Sequence, residues 1–350
     1  MSSFIFVSPD FPHINVNLVE HLAESGVRVL GIGDAEFEGL DHRLKESLTE
    51  YYRVSSLDNY DEVYRGVAFL NYKYGKPSRL DSNNSYWLAQ DAQLRLDFNI
   101  PGINWGASDA DSLEIAREAG LPVGSPAGQI LSWDAFIGAD REVLFEGVTE
   151  WPAESSTEYT YRTVSPIPPL LARLGRSVAE ALRAKLTFLH VQVAFAPGTS
   201  PHIIRISRSA PPAFTLDMHD FAQNRDVYQV FASSIASLDP LLTPEVPEAG
   251  SESKIAVYAS RQDSASYRLQ ATEVEAKWGE RIRMVERNPV QYRQGMGDTF
   301  CIAVTDTNEE ADEFVADVTD REANGSKEAQ RTAEEASPAP DETAVLTPIT

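Results

Sequence analysis

Hydrophobic and polar positions alternate along the chain in a readable order. Phe4–Val7 is an unbroken apolar run, as a strand buried on both faces requires. After a Ser8-Pro9-Asp10 break, Val16, Val19, Leu22 and Ala23 recur at helical spacing over Asn15–Ser25, and Gly26 ends the pattern. Val27–Ile32 is a second apolar strand, closed by Gly33-Asp34, so the opening third begins with a right-handed βαβ unit. Tyr51–Val54 predicts a third strand, Asn59–Tyr74 a helix, Arg79–Ser82 a further strand, and Tyr86–Phe98 and Asp109–Ala119 two more helices. The last is capped by Ser108 and stopped by Gly120.

From Gln129 the period shortens to that of hairpins. Ile130–Ile137 and Val143–Gly147 predict paired strands around Gly138-Ala139-Asp140, and Leu186–Phe195 and His202–Ser207 a second pair around Pro197-Gly198-Thr199-Ser200. Pro168–Lys185 and Asp226–Ser237 read as helices, and Leu241–Ser253, rich in Pro, Glu and Ser, as a linker or surface loop. Ile255–Tyr258, Ile282–Val285 and Thr299–Val304 predict a small terminal sheet, with Glu309–Val318 as a closing helix. Beyond Thr319 no apolar face recurs, which predicts a disordered acidic tail over residues 319–350.

Composition narrows the function classes. Thirty basic residues stand against 53 acidic ones, a net charge of −23, so the protein's own field repels nucleic-acid backbones and anionic membranes. Asp306–Thr350 holds 13 acidic and three basic residues, so much of that excess lies near one end. A single cysteine, Cys301, excludes an intramolecular disulfide and a Cys-rich zinc site. No apolar stretch is long enough for a membrane helix, and Met1–Phe11 lacks the features of a signal peptide, so a cytoplasmic location is expected.

Several blocks together carry a resemblance. Phe4–His13, Val29–Asp34, Ser47–Tyr52, Tyr60–Tyr64, Ser82–Leu88 and Arg95–Ile100 resemble the pre-ATP-grasp domain of bacterial ATP-grasp proteins of the carboxylate–amine ligase type. The likeness resumes from about Ser132 to Val318, where Gln294-Gly295-Met296-Gly297-Asp298 resembles a C-terminal turn of that family. It implies an α/β protein with an N-terminal doubly wound, Rossmann-like domain and an ATP-grasp-like α+β core. It also implies an ancestral chemistry in which ATP and magnesium activate a carboxylate as an acyl phosphate for attack by an amine.

The departures from that family bear directly on function. The segment resembling the approach to the ATP-binding lid, Leu121-Pro122-Val123, is followed after only Gly124–Leu131 by Ser132–Ile137, which resembles the strand beyond the lid. No lysine lies between Lys76 and Lys185, whereas the family lid carries two. On the strand resembling Leu189–Val193 the metal carboxylate is replaced by Gln192, and the following Glu-x-Asn pair by Arg205 and Ser207. A one-residue insertion that aligns Arg208 with the family arginine would instead place Ile204 and Ile206 there, and neither register supplies a carboxylate.

Other candidates compete with simpler readings. Gly31-x-Gly33-Asp34 follows the second strand rather than the first, so a tight strand-end turn outweighs a dinucleotide site. Asn83 and Asn84 fall at a strand's C-terminal end, where open α/β sheets bind ligands. Ser8, Asp10 and His13 share one loop, although a triad needs geometry that spacing cannot supply. The six histidines show no metal spacing and read as separate structural or surface residues. Arg205 and Arg208 could hold an anion or pair with acidic neighbours.

The domains expected are 1–106 (pre-ATP-grasp), 107–240 (truncated ATP-grasp-like core without a lid), 241–253 (linker), 254–318 (small C-terminal αβ portion) and 319–350 (tail). The function expected is that of a pseudoenzyme, a binding or regulatory subunit with no catalytic residues, no bound metal and no cofactor. It would be homo-oligomeric or paired with an intact ATP-grasp paralogue. The alternatives are an active ligase with a reduced nucleotide site or one completed by a partner chain, and a small-molecule binder using the N-terminal cleft.

Overall fold

The computed structural model describes residues 2–103, 108–126, 128–152, 159–195, 199–248 and 253–322. The N-terminal elements are β1 (Ser3–Val7), α1 (Asn15–Glu24), β2 (Arg28–Gly33), α2 (His42–Ser47), β3 (Leu48–Arg53), α3 (Tyr60–Tyr74), β4 (Arg79–Asp81) and α4 (Leu88–Asp97). Its four strands form a parallel sheet in the order β3-β2-β1-β4. Alternate residues of β1 and β2 serve opposite faces. Ile5, Val7, Leu30 and Ile32 pack with Val63, Val67 and Leu70 of α3, while Phe4, Phe6 and Val29 pack with Val16, Val19 and Leu22 of α1. Both faces are covered, which is why these strands read as continuous apolar runs.

Next come α5 (Asp109–Glu118), β5 (Gln129–Ile137), β6 (Val143–Glu150), β7 (Thr160–Thr163), α6 (Pro169–Ala181), β8 (Thr187–Phe195), β9 (His202–Ser207), α7 (Thr215–Gln223) and α8 (Val227–Ala236). The chain closes with β10 (Ile255–Arg261), α9 (Ala271–Trp278), β11 (Ile282–Arg287), α10 (Val290–Met296), β12 (Thr299–Thr305) and α11 (Asn308–Thr319). Their strands form one antiparallel sheet, β11-β12-β10-β7-β6-β5-β8-β9.

The expected small terminal sheet is therefore corrected. Val257–Ala259 of β10 pairs with β7, a four-residue strand that the sequence pattern misses, and this makes the terminal strands continuous with the core. α2, α7, α9 and α10 are also unanticipated; α7 mixes polar and apolar residues without a clean stripe, because it is buried on several sides. Arg321 bridges to Tyr267, so the first residues expected in the tail are ordered; the remainder, 323–350, lies outside the described residues.

The core sheet separates two environments. One face packs Trp133, Ala135, Leu189, Val191 and Ile206 against Leu171 and Val178 of α6. Gly175 of α6 permits this approach, since a Cβ there would lie 2.1 Å from the Trp133 ring. The other face carries Ser132, Asp134, His190 and Gln192, with Phe136 and Phe188 at the end packed on α8. Between the domains, Phe136, Phe145, Phe188 and Phe231 join Phe4, Leu18 and Leu22 in one apolar cluster, which fixes the sheet against α1 and α8.

Candidate functional site

Strand register builds the site. Asp134 of β5 stands opposite His190 of β8, and His190 opposite Ser207 of β9. One step along, Ser132 faces Gln192, and Gln192 faces Arg205. Side chains two residues apart share a sheet face, so these six residues form a polar patch across three strands. Gln192 and Arg205 are direct partners. Ile204 sits at the register shift, and Ile206 is buried in the apolar cluster on the opposite face, so Arg205 and Ser207 are the β9 residues on the Gln192 face.

Asp134 is the hub of the patch, and its side chain is fully buried. Its Oδ1 lies 2.6 Å from His190 Nδ1. Its Oδ2 accepts from Ser132 Oγ and Thr149 Oγ1, each at 2.9 Å, and lies 3.4 Å from His219 Nε2 of α7. Burial by itself raises the carboxyl, but His190 and then His219 outweigh it and hold Asp134 well below the usual carboxylate range. An ionised carboxylate only accepts, so His190 Nδ1 carries the proton. Gly147 of β6 makes room for this arrangement, because a Cβ there would lie 2.3 Å from His219 Cε1.

A cavity of ≈260 Å³ opens beside the patch, at the junction of the N-terminal domain, the core sheet and α10. Asn83, Asn84 and Ser85 reach it from beyond β4; His190, Arg205 and Ser207 reach it from the sheet; Phe11, Trp151 and Tyr292 supply ring surface. Trp151 meets His190 edge-on at 5.8 Å, stacks on Tyr161 and donates its indole N–H to Ser132 Oγ. His190 is 3% exposed, and its Nε2 has no hydrogen-bond partner. Arg205 Nε meets Asp109 Oδ2 at 2.9 Å, and its Nη2 lies 3.4 Å from Ser85 Oγ. Asp109 opens α5, so this ion pair ties that helix to the cavity rim.

Of the candidates read from sequence, Asn83, Asn84, Arg205 and Ser207 line this cavity, and Gln192 stands on the same sheet face. Asn83 serves the fold as well, bonding Asn15 and the Ala210 N–H. Ser8, Asp10, His13, Gly31, Gly33, Asp34 and Arg208 are not among its lining residues. The Ser8 hydroxyl donates to the Phe11 carbonyl, and His13 lies against Phe214. Gly31 and Gly33 lie within β2 under the Tyr51 ring, where a Cβ at Gly33 would meet the Tyr51 hydroxyl at 2.5 Å. Asp34 receives the Leu57 N–H. Arg208 is buried beside Ser112 of α5, and burial pushes its guanidinium down to about 10.

Asp134, His190, Thr149 and Trp151 are the site residues that sequence reasoning missed. Their signal is the polar alternation Ser132/Asp134 and His190/Gln192 within otherwise apolar strands, whose meaning depends on which strands pair. Among the described residues no group of His, Cys, Asp and Glu could hold a metal ion, and no helix is long and apolar enough to cross a membrane.

No protein-family model matches the sequence, and no curated protein matches it. Solved structures do. An L-amino acid ligase from Bacillus licheniformis superposes with a TM-score of 0.66 at 11% identity, covering 91% of this chain and 97% of that one. Phosphoribosylglycinamide synthetase from Anaerococcus prevotii gives 0.65 at 10% identity, covering 92% and 98%. The ADP complex of N5-carboxyaminoimidazole ribonucleotide synthetase gives 0.60 at 9% identity, covering 91% and 96%.

Proposed function

Starting from the ATP-grasp fold that this chain shares with those ligases and synthetases, we propose that it is a non-catalytic binding or regulatory protein. In this reading it has lost ATP–magnesium-dependent carboxylate–amine ligation and keeps a small-molecule seat at the domain junction. One observation carries the reading. Gln192 and Arg205 face each other on β8 and β9, and Arg205 is ion-paired to Asp109. Hard divalent cations require oxygen ligands, mostly carboxylates, and a guanidinium in their place repels them.

The connection ahead of β5 supports the same reading. Val123 bridges to Ile203, and β5 begins at Gln129, leaving residues 124–128 where the ligase type carries its lid. A protein of this kind would act with a second copy of itself or with an intact ATP-grasp paralogue.

Thermal denaturation with millimolar ATP, with and without magnesium, tests the proposal. A nucleotide at 100 times its dissociation constant stabilises a fold by about 2.7 kcal/mol. The expected result is no magnesium-dependent rise in Tm. A clear rise would sink the proposal and favour a ligase with a reduced nucleotide site.

A further inference from the structure

The cavity has the opposite charge character to the chain as a whole. In a protein of net charge −23 its lining contains Arg205 and His190 and no carboxylate. The remaining polar lining, Asn83, Asn84, Ser85, Ser207 and Ser209, consists of amides and hydroxyls that can donate.

His190 supplies the independent observation. Its Nδ1 is fixed by Asp134 at 2.6 Å, so the ring cannot turn without breaking a buried hydrogen bond to a carboxylate. Its Nε2 is buried at the cavity wall without a partner. A buried polar atom left unsatisfied costs about 1–3 kcal/mol, and such atoms call for an explanation. A ligand oxygen would satisfy it. Asp134 also faces His219 across the network, so the carboxylate that holds His190 is itself held from β6 and α7 through Thr149 and His219.

Resting on the reading of this cavity as a ligand seat, we propose that its ligand carries an oxyanion, a carboxylate or a phosphate, bound directly by His190 and Arg205 without a metal ion. The ligand brings one proton with it, so that the ring donates Nδ1–H to Asp134 and Nε2–H to the oxyanion. Arg205 keeps its Nε on Asp109 and turns its remaining donors inward, beside the hydroxyls of Ser85 and Ser207. The apolar body of the ligand lies among Phe11, Trp151 and Tyr292. At ≈260 Å³ the cavity falls below the usual range for drug-sized molecules, so the ligand is small, a single ring or a short chain with one acid group.

Titration calorimetry in EDTA with benzoate, phenyl phosphate and benzyl alcohol tests this on the full chain. Benzoate or phenyl phosphate should bind at least tenfold more tightly than benzyl alcohol, and the tighter of the two identifies the oxyanion as carboxylate or phosphate. His190→Gln and Arg205→Gln should each weaken that probe at least tenfold. The Arg205 side chain is 49% exposed, so its substitution tests the site even if the buried His190 variant does not fold. Benzyl alcohol binding as tightly as the anions would overturn the oxyanion and leave the ligand seat standing. Failure of every probe to bind would overturn both readings. Anion binding that survives both substitutions, or that appears only with magnesium, would also overturn the proposal.

Discussion

Replacing Asp134 by Asn tests the network beneath the cavity most directly. The carboxylate serves four donors: His190 Nδ1 at 2.6 Å, Ser132 Oγ and Thr149 Oγ1 at 2.9 Å, and His219 at 3.4 Å. An asparagine oxygen can stay on Ser132 and Thr149. The amide nitrogen then faces His190, which must become an acceptor and move its proton to Nε2. A hydrogen bond to a charged group contributes about 1.5–3 kcal/mol, and the amide nitrogen cannot accept the Nδ1–H that Oδ1 accepted. We expect a loss of about 3 kcal/mol in urea denaturation at pH 7, with an unchanged dependence on denaturant.

The pH dependence has a defined sign. Asp134 is held below its ordinary value in the fold, so the stability it adds is present above pH 4 and is lost as pH falls toward its lowered value. At about 1.4 kcal/mol per pH unit below an ordinary value near 3.9, the gap between wild type and Asp134→Asn should shrink by about 1 kcal/mol at pH 3. Nitrogen-15 spectra of the histidines should show His190 change tautomer. A loss under about 1 kcal/mol, or a gap equal at pH 3 and pH 7, would refute the account of Asp134 as an ionised hub.

Two further substitutions probe the support of this site. Gly147→Ala places a methyl 2.3 Å from His219 Cε1, and the anchored ring has little freedom to retreat. A loss of about 1–3 kcal/mol is expected from such overpacking, and a change below 0.5 kcal/mol in chemical denaturation would show that His219 moves freely. Asp220 on α7 is pushed up to about 8, first by burial and then by Asp226 and Asp217, against the Val227 N–H that it accepts. Folding therefore takes up a proton between pH 4 and 8, and stability falls as pH rises through that window. Asp220→Asn keeps the acceptor oxygen and should flatten the decline by up to about 1.4 kcal/mol per pH unit. Parallel stability curves for the two proteins at pH 5, 6.5 and 8 would contradict this.

The sequence by itself determined what depends on local order. β1, β2 and α1 are legible because a strand covered on both faces must be continuously apolar, and because a helix on a sheet needs one apolar stripe. α5 is legible from its cap, where Ser108 and Asp111 form the reciprocal bonds that Ser-x-x-Asp spacing allows. That Gln192, Arg205 and Ser207 are not carboxylates is a matter of residue identity and needs no fold to read.

Tertiary structure decided the rest, because it depends on which strands become neighbours. The row Asp134–His190–Ser207 joins residues as far apart as 73 positions, and only the pairing β5-β8-β9 makes them adjacent. His219 joins them from α7, whose mixed composition gives no periodic signal because several surfaces bury it. The acidic neighbour of Arg205 is Asp109, which folding brings to it from the start of α5. The charge of the chain as a whole sums to −23. The cavity lined by Arg205 and His190 without a carboxylate exists only where the end of β4, the core sheet and α10 meet.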